Sequence, residues 1–503
     1  MDFQLPLDQT CGKPIYRQIS EGIRAAIANG RLRPLEKLPS TRDLGSTLNC
    51  SRFTVMRSYE ELVSAGYITI ATGSGAFVSA QSAFPIVSQL DTSIDSTPNT
   101  IAIADANLSH YGKSLLAAAA TEPATAELFA ELNYGAAVDE LLPTTRWKEL
   151  VNKATRTTQA GQLGYESDPL GYFPLRQALA GFLGRSRAIR CTADRIAIFS
   201  GSSGALDCLL RILVDAGDLC AVEEPGFPGA RRCLLTHGAR LFNAGIDQGG
   251  ISIEQLRKIN EPIKLIYVTP SYQDPTGAVM PLERRHELLQ LAKEKNCYII
   301  EDDFGCEYRY GEKPEPAIQS MDEDDRVIYL SSFWKTLFPL VRVGYMILPE
   351  RLVDATYKCK SIVERDYPLI EQKALTDLIA DGHLERHIKR TRPIYAKRRA
   401  ALVQVLTKEF GDRVAIESAA AGMQMLVRFD DSFNHQSIIS AALKFDVSLV
   451  GTEAYYSNTG ASLSGTPKRA KNEFLLGFAH ITEEQITQAV QALGRELLKP
   501  SAV

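Results

Sequence analysis

The sequence has no run of about 18 apolar residues, so it offers no candidate membrane span. It has little excess charge: 56 Lys and Arg stand against 60 Asp and Glu, for a formal net charge of −4. That balance excludes a protein that coats nucleic acid by bulk electrostatics, so any DNA binding must come from a local surface. The nine cysteines are odd in number, scattered, and never spaced Cys-x-x-Cys. With seven histidines and no paired Cys/His spacing, no metal site is expected. Met1-Asp2-Phe3-Gln4 lacks the basic stretch and apolar core of a signal peptide, and free, packed thiols in a reducing cytoplasm are expected.

What is present is enough for more than one core. At 503 residues, with 45% hydrophobic and 23% charged side chains, the chain is expected to fold as two or more domains. The first signal is a helix opening at Pro14, with Ile15, Ile19, Ile23 and Ile27 on one face and Asn29-Gly30 at its end. Ser40 and Asp43 form a capping-box pattern for a second helix carrying Leu44 and Leu48. Ser51 caps a third, with Val55, Tyr59, Leu62 and Val63, which stops at Ala65-Gly66. Tyr67-Ile68-Thr69-Ile70 and Ala76-Phe77-Val78 read as strands of a glycine-tipped hairpin. Residues 1–79 thus make one small domain, and the Ser-, Thr- and Pro-rich stretch 80–100 reads as a linker.

From residue 101 to 503, short apolar strands alternate with helical stretches, beginning at Arg195–Phe199, then Leu219–Val222, Lys264–Val268 and Cys297–Ile300, and ending with Val327–Leu330 and Val343–Ile347. This pattern predicts an α/β domain with a mostly parallel sheet covered on both faces. Ligands of such sheets bind beyond the carboxyl ends of the strands.

Two constellations carry chemistry. In a helix-turn-helix the second helix enters the major groove and reads bases with its first residues, here Ser51, Arg52 and Thr54, with Arg57 one turn on. Arg42 opens the preceding helix, where a guanidinium can meet phosphate, and Gly73 and Gly75 let the hairpin tip approach the backbone closely. Residues 1–80 carry nine Lys and Arg against seven Asp and Glu, so charge alone does not separate a DNA reader from a small helical interaction module.

The second constellation suits pyridoxal phosphate. Lys335, just past a strand end, can form a Schiff base with the cofactor aldehyde if its amine is kept neutral. Asp302, also after a strand, can hold the pyridine nitrogen protonated. Ser202 and Ser203 open a helix after strand 195–199 and, with Ser332 and Arg342, can cradle the phosphate, while Phe227 can stack on the ring. Each is weak alone; their order after successive strands gives the set its weight.

Both ends resemble one family. Pro14–Ile19, Gly30-Arg31-Leu32, Leu38–Leu44, Ser51–Val55, Tyr59–Leu62, Gly66-Tyr67-Ile68 and Gly73–Val78 look like a GntR-type winged helix. The order from Tyr165 to Arg342 resembles fold-type I aminotransferases, and most nearly the aminotransferase-like domain of the MocR/GabR regulators. The resemblance implies an N-terminal winged helix-turn-helix, a fold-type I large domain and a smaller α+β C-terminal subdomain. It places Tyr165 against the neighbouring subunit's cofactor phosphate and Asp274, before Pro275-Thr276-Gly277, beside the cofactor ring.

It also exposes departures. Phe304 stands where the family often has a Tyr able to hydrogen-bond the cofactor's 3′-oxygen, and Asp274 stands where aminotransferases place Asn. Gly229 replaces an Arg found in GabR-like chains, and Glu473–Phe478 lacks the carboxylate-binding Arg of true aminotransferases. The expected protein is a homodimeric, pyridoxal-phosphate-dependent transcription regulator that binds a double-stranded DNA operator and senses an amino compound or the cofactor itself, with weak or half-transamination at most. An active aminotransferase with an appended DNA module, and a GntR-type repressor with a different ligand, stay open as alternatives.

Overall fold

A computed structural model describes residues 7, 13–28, 31–71, 75–79, 107–119, 140–159, 168–311, 315–417, 421–445, 449–457 and 471–499. The chain divides into two units, Met1–Ala106 and Asn107–Val503. The stretch 80–100 expected as a linker lies outside the described residues.

The first unit contains helices α1 (Ile15–Ala28), α2 (Thr41–Thr47) and α3 (Arg52–Ser64) and the antiparallel pair β1 (Ile68–Ala71) and β2 (Gly75–Val78). Pro14 sits one residue ahead of α1, its carbonyl accepting from the Arg17 and Gln18 amides. Ile19 and Ile23 on α1, Leu44 on α2, and Val55, Tyr59 and Leu62 on α3 close one core with Ile68 and Val78. The Ser40 hydroxyl accepts from the Asp43 amide and that of Ser51 from the Thr54 amide, so both helix starts that the sequence signalled are capped by the side chain itself. The Tyr59 hydroxyl donates to the Pro39 carbonyl at 2.8 Å, fixing α3 against the entry to α2.

The second unit is built on an eight-stranded sheet. In chain order its strands are β3 (Ile196–Phe199), β4 (Leu219–Glu224), β5 (Arg240–Asp247), β6 (Gly250–Ile251), β7 (Ile263–Val268), β8 (Tyr298–Asp302), β9 (Val327–Ser332) and β10 (Gly344–Ile347). Their spatial order is β3-β10-β9-β8-β7-β4-β5-β6. Strands β5, β4, β7, β8 and β9 run parallel, while β10 lies antiparallel between β9 and β3. Along β4, Cys220 and Val222 join the core on one face while Leu219 and Ala221 join the core on the other. A strand buried on both faces needs no polar alternation, which is why these strands read as continuous apolar runs.

The C-terminal part forms a smaller α+β layer. It has the long helix His383–Phe410, an antiparallel sheet ordered β11-β12-β14-β13, and helices His435–Lys444 and Glu483–Leu497. The four strands are β11 (Val414–Glu417), β12 (Gln424–Phe429), β13 (Val450–Gly451) and β14 (Glu473–Gly477). Among the described residues no helix is long and apolar enough to cross a membrane.

Candidate functional site

Five parallel-running strands deliver side chains to one end of the large sheet. Ser202 and Ser203 follow β3, Phe227 follows β4, Asp274 follows β7, Asp302 ends β8 and Lys335 follows β9. Because β10 runs the other way, its entry residues Arg342 and Val343 arrive at the same end. All of these residues line one cavity of about 290 Å³, together with Ser200, Gly201, Ser332, Phe304, Trp334 and Val341. Gly344 makes the approach possible, since a Cβ there would lie 2.4 Å from the Gly201 carbonyl carbon and 2.6 Å from the Ser202 nitrogen. The start of helix Ser202–Leu213 is thereby held close to β10 with its first amides at the cavity wall.

The electrostatics of the cavity follow from burial. Lys335 is buried, and loss of solvation pushes its ammonium down to about 8, against the pull of the nearby Asp274 and Glu307 carboxylates. Asp302 is pushed up to about 7 by burial, with Asp303 adding to the rise and a hydrogen bond from the Tyr267 hydroxyl opposing it. Its neighbour is treated differently. Asp303 feels the same burial, yet Arg187 (Nε to Oδ2, 2.6 Å) and the Tyr329 hydroxyl (2.6 Å) hold its carboxyl below the usual range. Of the two adjacent carboxylates, only Asp302 faces the cavity.

Phe304 meets Tyr272 edge to face at 5.8 Å, and the Lys335 amine lies 5.8 Å from the Phe304 ring centre. Gly229 has a steric reason: a Cβ there would come within 2.5 Å of the Phe227 ring. Tyr165 lies outside the described residues. Reading the sequence missed several members of the site, Trp334 and Gln424 among them. Trp334, in the run Ser331–Lys335, lines the cavity beside the lysine. Gln424 starts β12 in the smaller layer and reaches Asp274 Oδ1 with its amide nitrogen at 3.4 Å, a contact 150 residues apart that no local motif announces.

The surface of the first unit is built differently. Arg42, Ser51, Arg52 and Arg57 are exposed at α2 and α3. Arg52 Nε donates to the Thr41 hydroxyl at 3.4 Å, so the two helices share a contact at the start of α3. Thr54 pairs its hydroxyl with that of Ser51 at 2.8 Å, within the helix cap. The Arg57 guanidinium stacks over the Tyr16 ring at 4.1 Å. Phe53, 68% exposed, stands beside Arg52 on the same helix start. Gly75 opens β2 with a φ of 108°, a backbone conformation that favours glycine, whereas Gly73 lies outside the described residues.

Known proteins match both units. The family described as aminotransferase class I and II matches residues 134–493, and that of bacterial regulatory proteins, gntR family, matches 15–78. The chain is 33% identical over 441 residues to the probable rhizopine catabolism regulatory protein MocR of Rhizobium meliloti, covering 87% of this chain and 86% of the relative. This chain belongs to the MocR-type regulators of the GntR family.

A second relative is the pyridoxine biosynthesis transcriptional regulator PdxR of Corynebacterium glutamicum, 29% identical over 78% of this chain and 79% of its own length. Among solved structures, the kynurenine aminotransferase of Pyrococcus horikoshii in complex with PMP is 26% identical with a TM-score of 0.66, covering 79% of this chain and 96% of that one. This MocR-type regulator therefore pairs a DNA-binding helix-turn-helix with a fold-type I, pyridoxal-phosphate-binding domain. The cavity fits that cofactor. It offers a lysine whose amine is easily made neutral and a buried carboxyl that a cationic ring N–H would relieve. A helix start, three hydroxyls and an arginine are available for a phosphate.

Proposed function

We propose that this regulator is a one-component switch in which an amino compound, or the cofactor itself, acts at Lys335 and alters operator binding. The observation that carries the reading is the buried Lys335 in a cavity whose other polar groups match pyridoxal phosphate, on the same chain as a GntR-type reader. Bound pyridoxal phosphate supplies an aldehyde that condenses reversibly with primary amines and absorbs visible light. Lys335 would present to it an amine that burial makes easier to deprotonate, Asp302 would accept the ring N–H, and Phe227 would pack on the ring. Ser202, Ser203, Ser332 and Arg342 hold the phosphate. Tyr165 completes that cradle on the neighbouring subunit of a homodimer, whose two readers engage paired half-sites through Arg42, Ser51, Arg52, Thr54, Arg57, Gly73 and Gly75.

An effector shifts the protein only if it interacts differently with the two states. The Gln424–Asp274 hydrogen bond supports a route for that difference, because it joins the smaller layer to the cavity wall. A change of charge at Lys335 would be felt by Asp274 and, through Gln424, at the start of β12. The experiment is an absorption spectrum of the purified protein with pyridoxal phosphate, beside Lys335→Ala. A visible band lost in the variant supports the reading. No band in either protein would leave a GntR-type regulator with another ligand.

A further inference from the structure

Once the residues assigned to the cofactor's phosphate, ring nitrogen and stacking face are taken away, the polar and aromatic lining left for an amino compound is short: Ser200, Asp274, Phe304 and Trp334. Asp274 is fully buried and firmly set. Its amide donates to the Thr269 hydroxyl at 3.1 Å, and its carboxylate receives the Gln424 amide at 3.4 Å. Glu307 lies near the same lysine, so a second carboxyl group, pushed up to about 7 by burial, stands by the amine position.

The cations point the same way. Among the described residues lining the cavity, only Lys335 and Arg342 are cationic; Arg342 is assigned to the cofactor phosphate, and Lys335 is already shared by Asp274 and Glu307. Arg428 on β12 is held between Glu417 (2.7 Å) and the fully buried Glu473 (3.0 Å). Arg231, on the helix behind Phe227, is committed to Glu224 at 2.6 Å. On β14, the strand that lacks the carboxylate-binding arginine, Leu475 is buried against Leu426 and Tyr455. A second carboxylate brought against buried Asp274 and Glu307 is strongly disfavoured without a further cation to accompany it, whereas an ammonium there is drawn in.

We propose that the effector is a primary amine without a carboxylate beside its amino group, with Asp274 as the counter-ion of its nitrogen and Phe304 and Trp334 against its carbon skeleton. This rests on the switch reading above and names the class of compound that operates it. Aromatic faces beside an acid are a recognition chemistry for organic cations, so the two observations select the same ligand.

The test uses the cofactor-loaded full-length protein and matched pairs that differ by one carboxylate: 2-phenylethylamine with phenylalanine, cadaverine with lysine, ethanolamine with serine. Displacement of the visible band is titrated for each. In every pair that responds, the amine should half-saturate at a concentration at least about tenfold below its amino acid. In Asp274→Asn, or Asp274→Ser if the first does not hold the cofactor, that ratio should shrink to within about threefold. Amino acids that match or outdo their amines would overturn the proposal. So would a ratio unchanged in the Asp274 variants, or a band that no amine displaces. Absence of any band on adding cofactor would instead sink the switch reading beneath it.

Discussion

The two ends of this regulator place their working charges in opposite environments. Arg42, Arg52 and Arg57 stand in solvent on the small domain, whereas Lys335, Asp302 and Asp274 are buried in the cofactor domain. The difference follows from what each must do. A guanidinium that meets phosphates or base edges works as a permanent cation and loses least when it stays hydrated until contact. A lysine that must add to an aldehyde works only as the free amine, so its burial is part of the chemistry. The reader is therefore specified by which residues project from a helix start, and the cavity by what surrounds each residue.

Substitutions at the two ends should separate cleanly. Asp302→Ala removes the charge-assisted partner of the cofactor ring, which is worth about 1.5–3 kcal/mol, so cofactor affinity should fall by about 10- to 150-fold in a spectral titration. Operator binding by the cofactor-free variant should match that of the parent. An unchanged cofactor affinity would remove Asp302 from the site.

Arg52→Ala should cost about 1–3 kcal/mol of operator binding, read by fluorescence anisotropy, with cofactor uptake intact. Equal loss of both functions would point to misfolding instead, and unchanged operator affinity would take Arg52 out of the reader. The smallest expected effect is that of Tyr59→Phe, which deletes the hydroxyl bond to Pro39 and should lower the stability of the small domain by about 0.5–1.5 kcal/mol in a thermal melt. The visible band should be untouched. A band that weakens with this substitution would mean that the two ends are not energetically separate.

A pH series sharpens the same contrast. Burial lowers Lys335 to about 8, so its neutral fraction rises with pH, passes one half near that value and levels above about pH 9. The rate at which the band forms should climb steeply through pH 6 to 8, bend near 8 and flatten above about 9. A climb that continues to about 10, where an ordinary lysine titrates, would show that the amine is not desolvated.

The helices of the reader were legible because each start is written locally, with Ser40 and Ser51 as their own caps and leucines, valines or isoleucines at helical spacing behind them. Strands β3, β4, β7, β8, β9 and β10 were legible as apolar runs because both faces of the sheet are covered. Strand β5 was not, since Arg240–Asp247 lies near the sheet edge and mixes exposed, half-buried and buried positions without a clean period. Two strands of the smaller layer escaped for a related reason: β11 is largely half-exposed and β13 is two residues long. Within the cavity, the residues that could be read in advance follow strand ends in chain order. Gln424 could not, because its partner Asp274 is 150 residues away and only the fold brings them together.

The central claim is that chemistry at Lys335 governs DNA binding, and the most direct test measures both on one sample. Genomic fragments selected on the cofactor-loaded protein serve as the operator, and their affinity is measured with and without an amine that displaces the visible band. The account predicts a change of about fivefold or more in the parent protein and none in Lys335→Ala. Equal affinities in the parent with and without the amine, while the band is fully displaced, would contradict it.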